Sequence, residues 1–77
     1  MQIDIMVFGQ LREFIDSGSI EIPDIADSNG LIGWLGERYP VLKKMKFSMA
    51  VDKKLISENT PLTNHHTVAL MPPFSGG

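Results

Sequence analysis

Apolar and polar residues alternate at the start of the chain. Ile3, Ile5 and Val7 occupy every second position, interleaved with Gln2, Asp4 and Met6. A period of two marks a strand with one face in a core. The second face ends in Met6 and Phe8, so either a helix or a partner must cover it. Gly9 ends this strand. Leu11, Phe14 and Ile15 follow at i, i+3, i+4, which predicts one or two helical turns over residues 10–15. Asp16-Ser17-Gly18-Ser19 is a turn cluster, and Ile20-Glu21-Ile22 reads as a short second strand closed by Pro23.

The main helix comes next, with Asp27 or Ser28 as its N-cap. Leu31, Trp34, Leu35 and Tyr39 fall at helical spacing, with Trp34 and Leu35 as the expected anchors, and Pro40 stops the helix. Gly30, Gly33 and Gly36 recur every third residue away from that stripe, which predicts a solvent face. Residues 41–46 form a connector carrying Lys43, Lys44 and Lys46, read first as a solvated basic turn and second as a docking site for an acidic partner. Residues 47–51 are a third strand. Asp52-Lys53-Lys54 turns the chain into a short fourth strand at Leu55-Ile56. A loop with room for one helical turn, residues 57–62, returns Leu62 to the core. Thr63-Asn64-His65-His66 is the final turn, and residues 67–71 are the last strand, with Val68 and Leu70 on one face and Ala69 and Met71 on the other. One main helix among mostly antiparallel strands gives an α+β domain with a small mixed sheet. If the last strand lies parallel beside the first, the topology is the ubiquitin-like β-grasp.

Composition excludes several functions. Seventy-seven residues make one domain near the lower limit for folding without staples. With no cysteine there is no disulfide, no thiolate metal site and no cysteine nucleophile. A net charge of −2 argues against nucleic acid. No apolar run approaches the roughly 20 residues needed to span a bilayer, and the expected location is cytoplasmic. His65 and His66, adjacent in a turn without a third ligand at metal-like spacing, read as loop residues; no metal site is expected.

The end of the sequence carries the candidate chemistry. The run Val68-Ala69-Leu70-Met71 stops at Pro72-Pro73, and Phe74-Ser75-Gly76-Gly77 follows. Two prolines cannot donate backbone hydrogen bonds and stiffen the exit from the strand. Gly76 and Gly77 lack side chains, so the carboxylate of Gly77 can pass a channel too narrow for other residues. The division expected is a folded domain over residues 1–71 and an extended functional tail over residues 72–77.

The whole chain resembles the small subunit of molybdopterin synthase, the MoaD type within the MoaD/ThiS ubiquitin-like sulfur carriers. Phe8-Gly9-Gln10-Leu11-Arg12-Glu13 matches that family's segment after the first strand. Ala50-Val51-Asp52, Leu55-Ile56, Pro61-Leu62 and Val68-Ala69-Leu70-Met71-Pro72-Pro73 follow its second half, and Pro72 to Gly77 matches its ending. Gly9, Phe74 and Asn64-His65-His66 depart from the usual Ala, Val and Asp-Gly-Asp; Asn64 can take the left-handed turn position that Gly would fill. The implied fold is a β-grasp: a four- to five-stranded mixed sheet on one main helix, with a flexible Gly-Gly tail.

The resemblance also implies the chemistry and the partners. An E1-like, MoeB-type adenylyltransferase would use ATP to adenylate the Gly77 carboxylate, and a sulfur donor would convert it to a thiocarboxylate. The tail, Pro72, Pro73, Phe74, Ser75 and Gly76, would then enter the active site of a MoaE-type large subunit, in a heterotetramer. There sulfur would pass to cyclic pyranopterin monophosphate, building the dithiolene of molybdopterin. This chain would be a carrier with no bound cofactor, the catalytic side chains lying mostly on the large subunit. Phe8, Leu55 and Met71 would dock on the partners, with Arg12 as a charged contact at the rim. Two alternatives use the same glycine: a sulfur carrier of thiamine- or cysteine-type synthesis, and a ubiquitin-like modifier joined through Gly77 to lysines.

Overall fold

Ile3, Ile5 and Val7 all point to one side of strand β1 (Gln2–Val7) and are buried there, as the alternation predicts. The structure, a computed structural model, describes residues 1–63 and 66–73. A 3-10 helix over Gly9–Glu13 follows β1 and buries Leu11. Strand β2 (Gly18–Glu21) pairs antiparallel with β1, two residues earlier at its start than the sequence pattern placed it. Ile22, expected in that strand, lies beyond it yet stays buried, its amide bonded to the Met1 carbonyl at 2.7 Å.

Helix α1 (Ser28–Arg38) crosses one face of the sheet. A second 3-10 helix (Pro40–Lys43) follows, with the proline in its first turn, where a missing N–H costs nothing. Strands β3 (Ser48–Val51), β4 (Lys54–Ile56) and β5 (Thr67–Met71) complete a five-stranded sheet of order β2-β1-β5-β3-β4. β5 lies parallel to β1, Ile5 opposite Val68 and Val7 opposite Leu70, and antiparallel to β3. That parallel central pair satisfies the condition set for the β-grasp.

The core lies between α1 and the sheet. Leu31 and Leu35 are fully buried against Ile3, Ile5, Val7, Met49, Val51, Val68 and Leu70. Each such side chain contributes about 1.5–3 kcal/mol of burial. Trp34, expected as an anchor, is only partly buried; the anchoring pair is Leu31 and Leu35, one helical turn apart. The Arg38 guanidinium stacks 5.7 Å from the ring centroids of both Trp34 and Tyr39.

Asp27 caps α1, its Oδ1 accepting from the Gly30 amide at 2.9 Å. Asn59 extends the cap from the facing loop. Its Oδ1 accepts from the Asn29 amide at 2.9 Å and its Nδ2 donates to Asp27 Oδ2 at 3.1 Å. Buried Ser28 accepts from the Thr60 amide at 2.8 Å. These bonds hold residues 57–62 in irregular form, with no helical turn, and bring Leu62 into the core as expected. The solvent face predicted for the glycines holds for Gly33, which has open space around it, but not for Gly36. Gly36 is buried beneath the Lys43 stem, because the second 3-10 helix folds back over the end of α1. Gly30 sits 3.0 Å, measured from its missing Cβ, from Ile25 Cγ2.

Candidate functional site

Among the described residues, no helix covers the side of the sheet opposite α1. Register places one residue from each of four strands in a lateral row: Met6 opposite Ala69, Ala69 opposite Ala50, and Ala50 opposite Leu55. Met6 is 46% and Leu55 52% exposed. The two alanines between these long side chains form a low floor. Phe8, 43% exposed, rises at one end, its amide bonded to the Leu70 carbonyl at 2.9 Å. Met71 completes that end, and Thr67 and Lys53 close the other. The result is an apolar trough of about 350 Å³.

Three of the four docking residues named from the sequence, Phe8, Leu55 and Met71, therefore meet on this surface. Arg12 does not line it and sits exposed on the first 3-10 helix. Ala50 and Ala69 were not named. The alternation along residues 68–71 places Ala69 beside Met71, but only strand register brings Ala50 next to it.

The Lys53 end is fixed by a two-residue turn in which Asp52 and Lys53 have φ of 50° and 71°. Positive φ at both positions matches the right-handed twist of the flanking strands. The turn is tied to β5: the Thr67 amide donates to Asp52 Oδ1 at 3.0 Å, and the Asp52 amide to the Thr67 carbonyl at 2.8 Å. His66 Nδ1 bonds Asp52 Oδ2, and its Nε2 bonds Thr63 Oγ1 at 3.0 Å. The Thr67 amide, and then His66, hold the Asp52 carboxyl below its ordinary value. His66 is thus a strut between the final turn and the β3–β4 hairpin rather than a plain loop residue. Asn64 and His65 lie outside the described residues. Among the described residues no group of three or more His, Asp or Glu could hold a metal ion.

Pro72 and Pro73 continue β5 beyond the trough, and both are exposed. Pro72 lies against Gly9 at the corner after β1. Pro73 lines a second depression, about 590 Å³, between the start of α1 and the β3–β4 hairpin, beside Ile32, Lys46, Phe47 and Ser48. The wall of that groove is mixed polar and apolar, unlike the trough. Phe74, Ser75, Gly76 and Gly77, the tail expected to carry the chemistry, lie outside the described residues. No helix among the described residues is long and apolar enough to cross a membrane.

Three solved structures share this architecture. Molybdopterin converting factor subunit 1 from Pyrococcus furiosus superposes with a TM-score of 0.81 at 21% identity, covering 94% of this chain and 97% of that one. SAMP1 from Haloferax volcanii gives 0.73 at 17% identity, covering all of both chains. A chain from the complex of subunits 1 and 2 of molybdopterin-converting factor from Helicobacter pylori gives 0.71 at 25% identity, again over both full lengths. The sequence itself matches the ThiS family model over residues 5–77. With a parallel β1–β5 pair at the centre of its sheet, the chain belongs to the ThiS family, of the MoaD/ThiS-type ubiquitin-like sulfur-carrier fold.

Proposed function

We propose that this protein is the sulfur-carrier small subunit of molybdopterin synthase, acting in the cytoplasm with a large-subunit partner. The observation that carries the reading is the apolar trough bounded by Met6, Phe8, Leu55 and Met71, whose Phe8 and Met71 end is the one from which Pro72 and Pro73 depart. A sheet face of this kind, left open by the protein's own helix, fits burial against a second protein. The relative from Helicobacter pylori was solved as a complex of subunits 1 and 2, which supports a large subunit as that protein.

The chemistry belongs to the α-carboxylate of Gly77. A carboxylate resists nucleophilic attack, and adenylation by an E1-like enzyme removes that resistance. ATP loses pyrophosphate as the carboxylate forms an acyl-adenylate, and sulfide-level sulfur from a donor displaces AMP to leave a thiocarboxylate. The thiocarboxylate sulfur then bonds to a carbon of cyclic pyranopterin monophosphate in the large subunit, displacing an oxygen substituent, and water hydrolyses the acyl–sulfur bond, which leaves the sulfur on the pterin and returns the carboxylate for recharging. The absence of cysteine in the sequence agrees with sulfur carried on the main chain. The chain holds no cofactor of its own in this scheme. Its side chains dock and aim, while the large subunit supplies the catalytic groups.

Intact mass is the direct test. Incubation with the cognate activating enzyme, ATP and a sulfur source should raise the mass by the replacement of one oxygen with one sulfur. Deletion of Gly77 should abolish that gain and molybdopterin formation with it. A ladder of lysine adducts in extract, without the oxygen-to-sulfur gain, would establish a protein modifier instead.

A further inference from the structure

Two consecutive residues of the β3–β4 hairpin turn, Asp52 and Lys53, lie in the left-handed region, with φ of 50° and 71°. There a Cβ crowds the following carbonyl oxygen, so such turns favour Asn or Asp followed by Gly. Asp52 suits its place: the Thr67 amide and His66 occupy its carboxylate, which ties the turn to β5. Lys53 has no such use in the turn. It is exposed, and among the described residues it forms no ion pair. A glycine would close the same hairpin with less strain. The turn thus carries a lysine whose side chain the fold itself does not need.

What Lys53 does line is the Thr67 end of the trough, beside Ala50 and Leu55, and among the described residues it is the one charged side chain on that wall. Its neighbour Lys54 carries the same charge but precedes Leu55 on β4, and so belongs to the other face of the sheet. Asp4, opposite Thr67 on β1, lines an adjoining depression rather than the trough. The Thr67 end is therefore positive toward the hairpin and negative toward β1. We propose that Lys53 is the charged contact of the docking face, and that it receives a carboxylate of the large subunit beside the apolar group filling the trough. The proposal rests on the reading that the large subunit occupies the trough. An apolar floor gives contact area but little orientation, whereas one cation at one end makes the two ways of laying a partner across the sheet unequal. The same carboxylate placed toward Asp4 is repelled. The role that the resemblance gave to Arg12 falls to Lys53, since Arg12 does not line the trough.

Lys53→Gly separates docking from folding, because the strain and the charge leave together. Its Tm should rise by about 2–5 °C as the left-handed position is relieved. Its affinity for the cognate large subunit, read by calorimetric titration and stopped flow, should fall about three- to tenfold at low salt. The loss should sit mainly in the association rate and shrink in roughly 1 M NaCl, where charges are screened within about 3 Å. Lys53→Arg should keep the wild-type affinity. Lys54→Ala removes the same charge from the other face and should change affinity less than about twofold.

Equal affinity and equal salt dependence in wild type and Lys53→Gly would overturn the contact and leave the large-subunit reading standing, as would an equal loss in Lys54→Ala. Should Lys53→Gly fail to fold, Lys53→Asn, which also suits the left-handed region, must show the salt-sensitive loss, and wild-type binding there overturns the contact. Lower stability in both variants overturns it too, since the lysine would then be serving the turn. If the wild-type chain never binds the large subunit, the partner reading falls and the contact falls with it.

Discussion

Ala50 and Ala69 face each other across the β3–β5 ladder on the uncovered side of the sheet, and their small side chains leave the space between Met6 and Leu55 open. Filling that space should block docking more than it disturbs folding, since Ala69 is only partly buried. Ala69→Leu is expected to raise the Kd for the large subunit at least about tenfold, or roughly 1.4 kcal/mol. Phe8→Glu and Met71→Glu should do the same by placing a charge against an apolar surface. Calorimetric titration measures the affinity and a thermal melt checks the fold. Wild-type affinity in all three variants would remove the trough from the interface.

The helix glycines separate into different cases. Gly33 has open space where a Cβ would go, so Gly33→Ala should stabilise the protein by about 0.5–1 kcal/mol through the lower backbone entropy of alanine. In a domain of this size that corresponds to a Tm increase of about 2–8 °C. Gly30→Ala should gain less or nothing, because the added methyl must find room 3.0 Å from Ile25 Cγ2. A lower Tm for Gly33→Ala would contradict the placement of that residue.

Asn59 serves the start of α1 from a distant loop. Asn59→Ala removes the acceptor of the Asn29 amide and the donor to Asp27 at once. These groups are exposed and water replaces part of the loss, so the expected cost is about 1 kcal/mol in denaturant unfolding. A cost within error of zero would mean that Asp27 and Ser28 hold the helix start without help.

Acid should loosen both ends of this architecture. The folded-state carboxyl of Asp52 is held below the ordinary value of 3.8 by the Thr67 amide and then by His66. The Gly30 amide and then Asn59 do the same for Asp27. A depressed folded value means that stability is fully present above the ordinary value and drains away as pH falls through the folded one. Tm should therefore drop between about pH 5 and pH 2, and Asp52→Asn, which keeps an acceptor for Thr67 but loses the charge, should drop less steeply. Identical pH profiles would show that the Asp52 bonds are not stabilising.

The alternation of Ile3, Ile5 and Val7, the stop at Pro40 and the spacing of Leu31 and Leu35 made the sheet and helix legible in the sequence. These signals are local. The misplaced details were those that depend on where remote segments settle. Gly36 is buried beneath the Lys43 stem, and Trp34 packs only partly buried against the core while Leu31 and Leu35 are fully buried in it. Phe8, Leu55 and Met71 could be named in advance because large apolar residues on a second strand face stand out. Ala50 and Ala69 could not, since an alanine signals nothing until register places it between larger neighbours. His66 shows the same limit, for its partner Asp52 lies on a different hairpin.

The central β1–β5 pairing also governs when this protein becomes usable. Its two strands lie far apart in the sequence, so closing the ladder costs chain entropy that only long-range burial repays. Until β5 has been synthesised and inserted, β1 and β3 have no common neighbour and the alanine floor does not exist. Pro72 follows β5 directly, and so it meets Gly9 only on a body whose sheet is already complete. On the proposed reading, a misfolded chain would carry its last residues without presenting the trough that would dock the large subunit.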